Sequence, residues 1–306
     1  MTVAAAPASR PRSAYSLERR MARTAYLFLV PTLIYFALFY GLPIVVDLAM
    51  SFYSGTAFLG RGGRFVGLLN YEVLFQDEAA LASIVRTLVF SVGIVGISVP
   101  CGLGLALTLN ADVRFRALFR AIMFFPYMTS MVIVALVWSV LYQTEAGLLN
   151  YLLEAVGLPK VGWMTNPDMA LLSLIIMTAW AEIGYNMVLF LAGLQGIPPE
   201  FYDAAKVDGA GSWKIFRHVT WPLLAPTTFF CVLMSIILSS EAFTQVFIMT
   251  RGGPALATEL FSYRVWETAF NNGSFGYAAA MAFLMFLGLF VVTVFLFRGW
   301  RTEVEY

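Results

Sequence analysis

The chain has 306 residues, of which 60% are hydrophobic and only 12% are charged, and its formal net charge is +1. A soluble domain carries about 25% charged residues, so this composition excludes a soluble globule of this length. The near-neutral charge gives no sign of a nucleic-acid partner, and the single histidine argues against a metal site. Cys101 and Cys231 lie in apolar runs, which predicts two buried free thiols rather than a disulfide.

The chain begins with a basic tail at residues 1–24 that is rich in Ala, Pro and Ser and is predicted to be disordered. The apolar run behind it is longer than the roughly 7–15-residue core of a signal peptide and has no clear small-x-small site. We therefore expect an uncleaved first membrane helix.

Six apolar stretches reach the length of about 20 residues that a membrane-spanning helix needs. None alternates with the period of a strand, so the sequence predicts an all-α integral membrane protein with six transmembrane helices over residues 25–300. A short tail follows at 301–306. In chain order the stretches are 25–51, 84–109, 118–142, 169–194, 223–250 and 276–300.

Basic residues are concentrated on one side of this topology. Five precede the first stretch and eight more lie in the second and fourth connections and at the C-terminus, against five in the other three loops. Because cytoplasmic loops carry the excess of Lys and Arg, both termini are predicted to be cytoplasmic.

One cytoplasmic connection, "FYDAAKVDGAGSWKIFRHVTWPLL" at residues 201–224, is unusually polar. Pro198 and Pro199 are predicted to end the fourth span and open a short helix. Gly209 or Gly211 is expected to end that helix in the left-handed conformation, and Ser212 to cap a second one.

The second helix places three apolar side chains on one face, at Trp213, Phe216 and Val219, and Pro222 is expected to end it. The prediction is a helix–glycine–helix elbow over residues 198–222. The same residues are also compatible with an amphipathic helix that only rests on the lipid headgroups.

This elbow resembles the EAA loop of permease subunits from binding-protein-dependent ABC importers. The family pattern is E-A-A-x-x-D-G-A, a spacer, and F-x-x-I-x-L-P. The chain departs from it by Asp203 for Glu, Val219 for Ile and Trp221 for Leu. The matching segments, in register, are Asp203-Ala204-Ala205, Asp208-Gly209-Ala210, Phe216 and Pro222.

Further segments are similar to the carbohydrate-uptake branch of that family, in particular to the first permease of maltose or glycerol-phosphate importers. They are "FVGLLNY" (65–71), "FPY" (125–127), "GWMTNPDMAL" (162–171) and "RGGP" (251–254). The resemblance covers nearly the whole chain. It implies the type I (MetI-like) ABC importer permease fold with cytoplasmic coupling helices, in a bacterial cytoplasmic membrane.

The resemblance also implies partners, because the chain has no means of hydrolysing ATP. None of its 24 glycines lies in a G-x-x-x-x-G-K-[ST] phosphate loop, and no catalytic constellation is visible. ATP and Mg²⁺ would be bound by a dimer of ATPase subunits, and this chain would hold no cofactor. The other implied partners are a second permease, an extracytoplasmic solute-binding protein or lipoprotein, and lipid. The implied ATPase contacts are Asp203, Ala204, Ala205, Asp208, Gly209, Ala210 and Phe216.

Charged residues inside spans cost about 2.5–3.5 kcal/mol on insertion scales, so Glu182 and Glu241 are candidates for a solute path. Aromatic rings and hydrogen-bonding groups nearby suit a sugar, and the register of the related maltose permease places contacts in the same two spans. These polar groups could instead hold helices together. The predicted path residues are Trp180, Glu182, Tyr185, Asn186, Ser235, Ser239, Glu241 and Ala242.

Other functions stay open at this point. Within the importer class the solute could be a glycerophosphodiester, a peptide or an amino acid. A stand-alone secondary transporter would need broken helices, a coupling-ion site and inverted repeats, none of which the sequence shows. A membrane enzyme would need a catalytic constellation. The residues do not name the solute, the ATPase or the binding protein.

Overall fold

A computed structural model of the chain describes residues 12–55, 63–111 and 114–299. The predicted C-terminal tail (301–306) and the first eleven residues of the predicted N-terminal tail lie outside the described residues. In the described ranges fifteen α-helices follow one another: α1 (Arg12–Phe36), α2 (Leu42–Met50), α3 (Leu69–Gln76), α4 (Glu78–Asn110), α5 (Arg116–Met128), α6 (Met131–Leu141), α7 (Leu148–Ala155), α8 (Pro167–Gln195), α9 (Pro199–Val207), α10 (Ser212–Ile215), α11 (Trp221–Leu223), α12 (Ala225–Ser240), α13 (Thr244–Met249), α14 (Phe261–Trp266) and α15 (Phe275–Gly299).

Four segments of the described chain are each long and apolar enough to cross a membrane unbroken: Arg23–Met50, α4, α8 and α15. They correspond to the first, second, fourth and sixth predicted spans. The first runs through α1, a π-helical segment at Ala37–Gly41 and α2. Its helix already begins at Arg12, so the second half of the tail predicted to be disordered is helical.

The third predicted span is a bent pair rather than a straight helix. α5 and α6 meet at 95° across Thr129–Ser130. Pro126 lies in the last turn of α5, where it lacks the N–H that would bond to the preceding turn and so weakens the end of this helix. The expectation that no span is broken is therefore wrong here.

The fifth predicted span is also broken. α10 to α11 and α12 form a pair bent by 64° at Leu224, and α12 ends at Ser240 instead of continuing to residue 250. The hydroxyls of Ser239 and Ser240 both donate to the carbonyl of Ile236, which competes with the helical hydrogen bonds. After Glu241, the short helix α13 begins at Thr244.

α4 and α8 form the centre of the molecule and run parallel to each other. A Cβ on Gly93 would lie 2.9 Å from the Ile175 side chain, and one on Gly102 would lie 2.7 Å from Cβ of Asn186. The two backbones can approach this closely only because both α4 positions are glycine. α5 crosses α8 in the same way at Gly184, where a Cβ would collide with the carbonyl of Met123.

Two apolar clusters flank this crossing. One surrounds Leu174 and Phe90 and includes Tyr142, whose hydroxyl donates to the carbonyl of Ser173 at 2.9 Å. The other surrounds Phe190 and includes Cys231, a buried free thiol as predicted. Cys101, by contrast, is exposed on α4, so the prediction that it is buried is wrong.

The first span packs little of its surface against the rest of the described chain. No residue of its apolar window is buried, and side chains such as Phe28 (79% exposed) project outward. An apolar face of this length is stable only against lipid or another protein.

Candidate functional site

The elbow after α8 ends its first helix through a glycine. α9 is closed by two backbone hydrogen bonds, from Ala210 N–H to the carbonyl of Ala205 and from Gly209 N–H to that of Lys206, each 3.0 Å. Gly209 has φ of +70°, the left-handed conformation of a Schellman motif, in which a residue with a Cβ is strained. The prediction that Gly209 ends this helix is confirmed in preference to Gly211.

The predicted ATPase-contact residues Asp203, Ala204, Asp208 and Gly209 are exposed around this turn. Asp203 pairs with Lys206 at 3.1 Å on the open surface, where such a pair contributes at most about 1 kcal/mol. A Cβ on Gly209 would meet no atom within 4 Å. The turn therefore presents a free surface in this subunit.

An aromatic surface follows the turn. The rings of Trp213 and Phe216 stack with centroids 5.6 Å apart, and Trp213 is 71% exposed while Phe216 is half-buried. Gly211, not Ser212, is the N-cap of α10, so the predicted Ser212 cap is wrong. Glycine at an N-cap gives up little helix stability.

A cavity of about 370 Å³ lies where the two bent spans meet α8. Its lining combines four kinds of group: carboxylates, uncharged hydrogen-bonding side chains, aromatic rings and aliphatic side chains. The lining residues are Pro126, Tyr127, Thr129, Met131, Thr178, Ala181, Glu182, Leu238, Glu241, Ala242, Phe243, Thr244 and Gln245.

Glu182 is the buried carboxylate of this cavity. It is 6% exposed, and its Oε2 has no hydrogen-bond partner within the described residues. Thr178, one turn earlier on α8, is 2% exposed and its Oγ1 is likewise unpartnered. Leaving a buried polar atom without a hydrogen-bond partner costs about 1–3 kcal/mol. A ligand that forms hydrogen bonds with these two groups would remove that cost.

Glu241 stands at the break after α12, where it serves as the C-cap of that helix. Its side chain is exposed in this subunit, and it lines the cavity together with its neighbour Ala242. Because α12 ends at Ser240, Glu241 stands at the helix end. It would lie on the side of the helix if α12 ran straight through this point.

Tyr185 does not line the cavity but packs against Tyr127, which does. Its ring stacks on that of Tyr127 with centroids 4.6 Å apart and planes inclined by 21°. Because Tyr127 lines the cavity, the stack fixes the position of α5 against α8 at the cavity wall.

Three of the other predicted path residues lie among helix contacts. Asn186 donates from Nδ2 to Oγ of Ser98 at 3.1 Å and to Oγ of Ser235 at 3.3 Å, which ties α4, α8 and α12 together. Ser239 donates to its own helix. These contacts of Asn186 and Ser235 agree with the alternative that the polar groups hold helices together.

Trp180 is also outside the cavity. It is 43% exposed and its ring lies 5.4 Å from that of Trp138 on α6. The structure thus brings Glu182, Glu241 and Ala242 together in the cavity lining. Ser235 is outside the lining but contacts the Glu182 carboxyl group through its hydroxyl, whereas Trp180, Asn186 and Ser239 lie elsewhere.

Five polar lining residues are absent from the predicted path: Tyr127, Thr129, Thr178, Thr244 and Gln245. One signal was available, because Thr178 lies four residues before Glu182 and so shares its helix face. No comparable signal exists for Tyr127, which reaches the cavity only because α5 bends away after Pro126.

An ion cluster fixes the end of the bundle opposite the elbow. Asp77 caps α4 by accepting from the N–H groups of Ala79 and Ala80. Arg264 on α14 donates to Asp77 at 2.9 Å and to Glu259 at 3.0 Å. Partial burial alone would raise the pKa of Asp77, but its hydrogen bonds, above all those from Arg264, hold that pKa below its ordinary value.

Glu259 completes the cluster. It is 1% exposed, and burial raises its pKa although Arg264 and Arg86 oppose the shift. Arg86, near the start of the second span, lies 3.7 Å from Glu259. The cluster joins the start of α4 to the segment before α15.

Apolar crossings, a polar cavity between bent spans and an exposed elbow of short helices define a membrane transport permease. The model of the family described as "binding-protein-dependent transport system inner membrane component" matches residues 98–298. The chain belongs to this family.

Curated relatives extend the match over nearly the whole chain. The sn-glycerol-3-phosphate transport system permease protein of Agrobacterium fabrum is 32% identical over 284 residues, which cover 92% of this chain and 96% of the relative. The trehalose/maltose transport system permease protein of Thermococcus litoralis is 31% identical over 278 residues, 91% and 94% of the two chains.

A solved structure has the same fold. It is a bacterial ABC transporter involved in the import of the acidic polysaccharide alginate, with a TM-score of 0.81 over 96% of this chain and 100% of that chain. At 24% identity this likeness speaks for the fold alone. The chain has the all-helical type I, or MetI-like, importer permease fold.

Proposed function

We propose that this chain is the permease subunit of an ATP-driven importer and forms half of the path for a sugar or sugar-like solute. It would lie in a bacterial cytoplasmic membrane with both termini in the cytoplasm, as the distribution of basic residues predicts. The elbow at residues 198–222 would then face the cytoplasm, and the ion cluster the outside.

The elbow is the single observation that carries this proposal. Its turn is closed by its own backbone hydrogen bonds and needs no further contact, yet it exposes Asp203, Gly209 and the ring of Trp213. Such a surface is suited to docking into a cleft of a separate ATPase subunit. Gly209 would allow close backbone approach, and Phe216 would fill an apolar pocket.

The elbow also has a direct mechanical connection to the cavity. α10 and α11 continue, through the bend at Leu224, into α12, which ends at Ser240 and is followed directly by Glu241 in the cavity lining. Movement of the docked elbow when the ATPase dimer closes would therefore displace α12 at the cavity. In this way ATP binding and the exposure of the cavity become two coupled equilibria.

An importer of this kind needs further subunits besides this chain. The family description implies a solute-binding protein or lipoprotein outside the membrane. A dimer of ATPase subunits would bind ATP and Mg²⁺, so this chain would bind no cofactor and catalyse no reaction. A second homologous permease would complete the path, and lipid or that permease would cover the exposed first span.

The chemistry of the cavity supports a sugar. Hydroxyl groups are held by carboxylates and amides such as Glu182 and Gln245, and the CH faces of a ring by aromatic side chains such as Tyr127. The names of the two curated relatives point to trehalose, maltose and sn-glycerol 3-phosphate. Within the same class, a glycerophosphodiester, a peptide or an amino acid is the alternative solute.

A stand-alone secondary transporter is the second candidate. The bends at Thr129–Ser130 and Leu224 are broken helices of the kind that class uses, so broken helices do not distinguish the two candidates. The exposed elbow favours the importer, because a transporter driven by an ion gradient has no use for it.

The test is to express the tagged chain with its second permease, ATPase and binding protein, and to reconstitute the complex in proteoliposomes. The proposal predicts that the ATPase and second permease co-purify and that uptake of a sugar requires ATP. Uptake by this chain alone, driven by an ion gradient, would show the secondary transporter instead.

A further inference from the structure

Both charged side chains that line the cavity are acidic. Glu182 enters it from α8 and Glu241 from the end of α12. The other lining residues are uncharged, and among the described lining residues there is no Lys, Arg or His. The cavity therefore has a negative potential wherever these carboxyl groups are ionised.

The buried polar atoms are placed to receive hydrogen bonds. Oε2 of Glu182 and Oγ1 of Thr178 are both unpartnered, and both residues are more than nine-tenths buried. A carboxylate only accepts hydrogen bonds, and the Ser235 hydroxyl is the one protein donor at this carboxyl group among the described residues. Oε2 of Glu182 is therefore left to accept from a donor that enters the cavity. Sugar hydroxyls and ammonium groups are donors, whereas phosphate and uronate groups offer further acceptors and a repelling charge.

Basic residues on the neighbouring elements are engaged elsewhere. Arg120, six residues before Pro126 on α5, donates to the carbonyl of Leu109 at 3.3 Å. Arg264 is held by Asp77 and Glu259 in the ion cluster. Neither guanidinium lines the cavity, so neither neutralises the carboxylates there.

We propose that Glu182 and Glu241 make this permease selective for saccharides without net negative charge, either neutral or amine-bearing, and against phosphate- or uronate-bearing ones. This inference rests on the proposed function and goes beyond it, since relatives of the same fold are named for both neutral and acidic solutes. Glu241 sets the charge at the cavity opening. Glu182 requires a hydrogen-bond donor on the part of the solute that lies inside the cavity.

The charge of the cavity can be measured without knowing the solute. In the assembled transporter, Cys101 and Cys231 are replaced by Ala, and Thr129→Cys places a thiol in the cavity lining. Its reaction rates are compared for two methanethiosulfonates of similar size, one carrying trimethylammonium and one carrying sulfonate. Two carboxylates within several ångströms should raise the cation-to-anion rate ratio about tenfold over that of a free thiol.

The double variant Glu182→Gln/Glu241→Gln keeps the shape and should bring that ratio to within about twofold of the free thiol. Glu72→Gln, an exposed glutamate on α3 away from the cavity, is the matched control and should leave it unchanged. A wild-type ratio equal to that of the free thiol, or a ratio that survives in the double variant, overturns the proposal.

Uptake then separates this inference from the proposed function. ATP-dependent uptake is compared for maltose, for glucosamine and for a uronate trisaccharide, with the binding protein present. Preference for the uronate solute overturns the charge selectivity and leaves the importer intact. A cation-preferring cavity in a complex that takes up no saccharide supports discrimination against anionic solutes but overturns the assignment of saccharides as the solutes.

Discussion

Tyr127 on α5 and Tyr185 on α8 stack with ring centroids 4.6 Å apart, beside the glycine that lets the two backbones cross. Tyr127 lines the cavity and Tyr185 does not. The pair therefore links a cavity wall to the central helix, and its loss should disturb the cavity without removing a lining group.

We expect Tyr185→Ala to destabilise the subunit by about 2 kcal/mol, through lost packing and a lost ring pair, and to reduce uptake. Tyr185→Phe keeps the stack and should behave like the wild type. Thermal unfolding of the purified complex and uptake are the measurements. Tyr151→Ala, at a tyrosine that is 69% exposed on α7, is the control. Equal stability of Tyr185→Ala and Tyr185→Phe would show that the stack contributes nothing.

Glu182 is expected to accept hydrogen bonds from the solute. Glu182→Leu removes the acceptor and should lower uptake about tenfold, at saturating ATP and matched subunit levels. Glu182→Gln keeps a hydrogen-bonding group, so the loss should be modest for a neutral sugar and severe for one with an amine, since charge-assisted bonds are about twice as strong. Normal uptake by the Leu variant would assign Glu182 to helix packing.

The ion cluster predicts a pH-dependent contribution to stability. Asp77→Asn keeps an oxygen for the helix cap but loses the charge that Arg264 binds, which should cost about 2 kcal/mol near neutral pH. The pKa of Asp77 is lowered by folding, so its contribution is complete above the unfolded-state value of about 3.9 and is lost as the pH falls through the lower folded-state value.

Thermal unfolding of the wild type and of Asp77→Asn as a function of pH tests this directly. The difference between them should be constant from about pH 6 to 8 and should shrink below about pH 4. A difference that grows as the solution becomes acidic would have the wrong sign for a depressed carboxyl pKa.

The orientation is tested by labelling intact cells with an impermeant thiol reagent. In the background without Cys101 and Cys231, Ser54→Cys after the first span should react from outside and Ser212→Cys in the elbow should not. The reverse pattern would place the elbow outside, where no ATPase could reach it.

The sequence predicted the straight spans well because apolar run length alone determines them. The predicted second span began at residue 84 but α4 begins at Glu78, since Asp77 caps the helix beyond the apolar run. The bends were missed for a different reason. Pro126 and the pair Ser239–Ser240 weaken a helix, but whether it breaks there depends on what packs against it.

The elbow and the cavity differ in how far sequence could predict them. Gly209 was predicted because a left-handed turn needs glycine, which is a local requirement. Glu182 was predicted because a charge in a span is costly. The helix contacts of Asn186 could not be predicted, because its partners Ser98 and Ser235 lie 88 and 49 residues away and only the packing of three helices brings them together.

The elbow prediction has a matched control elsewhere in the chain. Gly157 ends α7 with φ of +78° and the same two backbone hydrogen bonds, and a Cβ there also meets no atom within 4 Å. Gly157→Asp and Gly209→Asp therefore impose a similar backbone strain of about 1 kcal/mol. Only the second adds a side chain where the ATPase is expected to dock.

This elbow is proposed to couple ATP hydrolysis on a partner subunit to a conformational change at the cavity. The most direct measurement is solute-stimulated ATP hydrolysis and ATP-driven uptake, recorded together in proteoliposomes for the wild type, Gly157→Asp and Gly209→Asp. We predict that Gly157→Asp retains both activities, while Gly209→Asp folds and remains in the membrane but loses both. Wild-type levels of both activities in Gly209→Asp would contradict the claim.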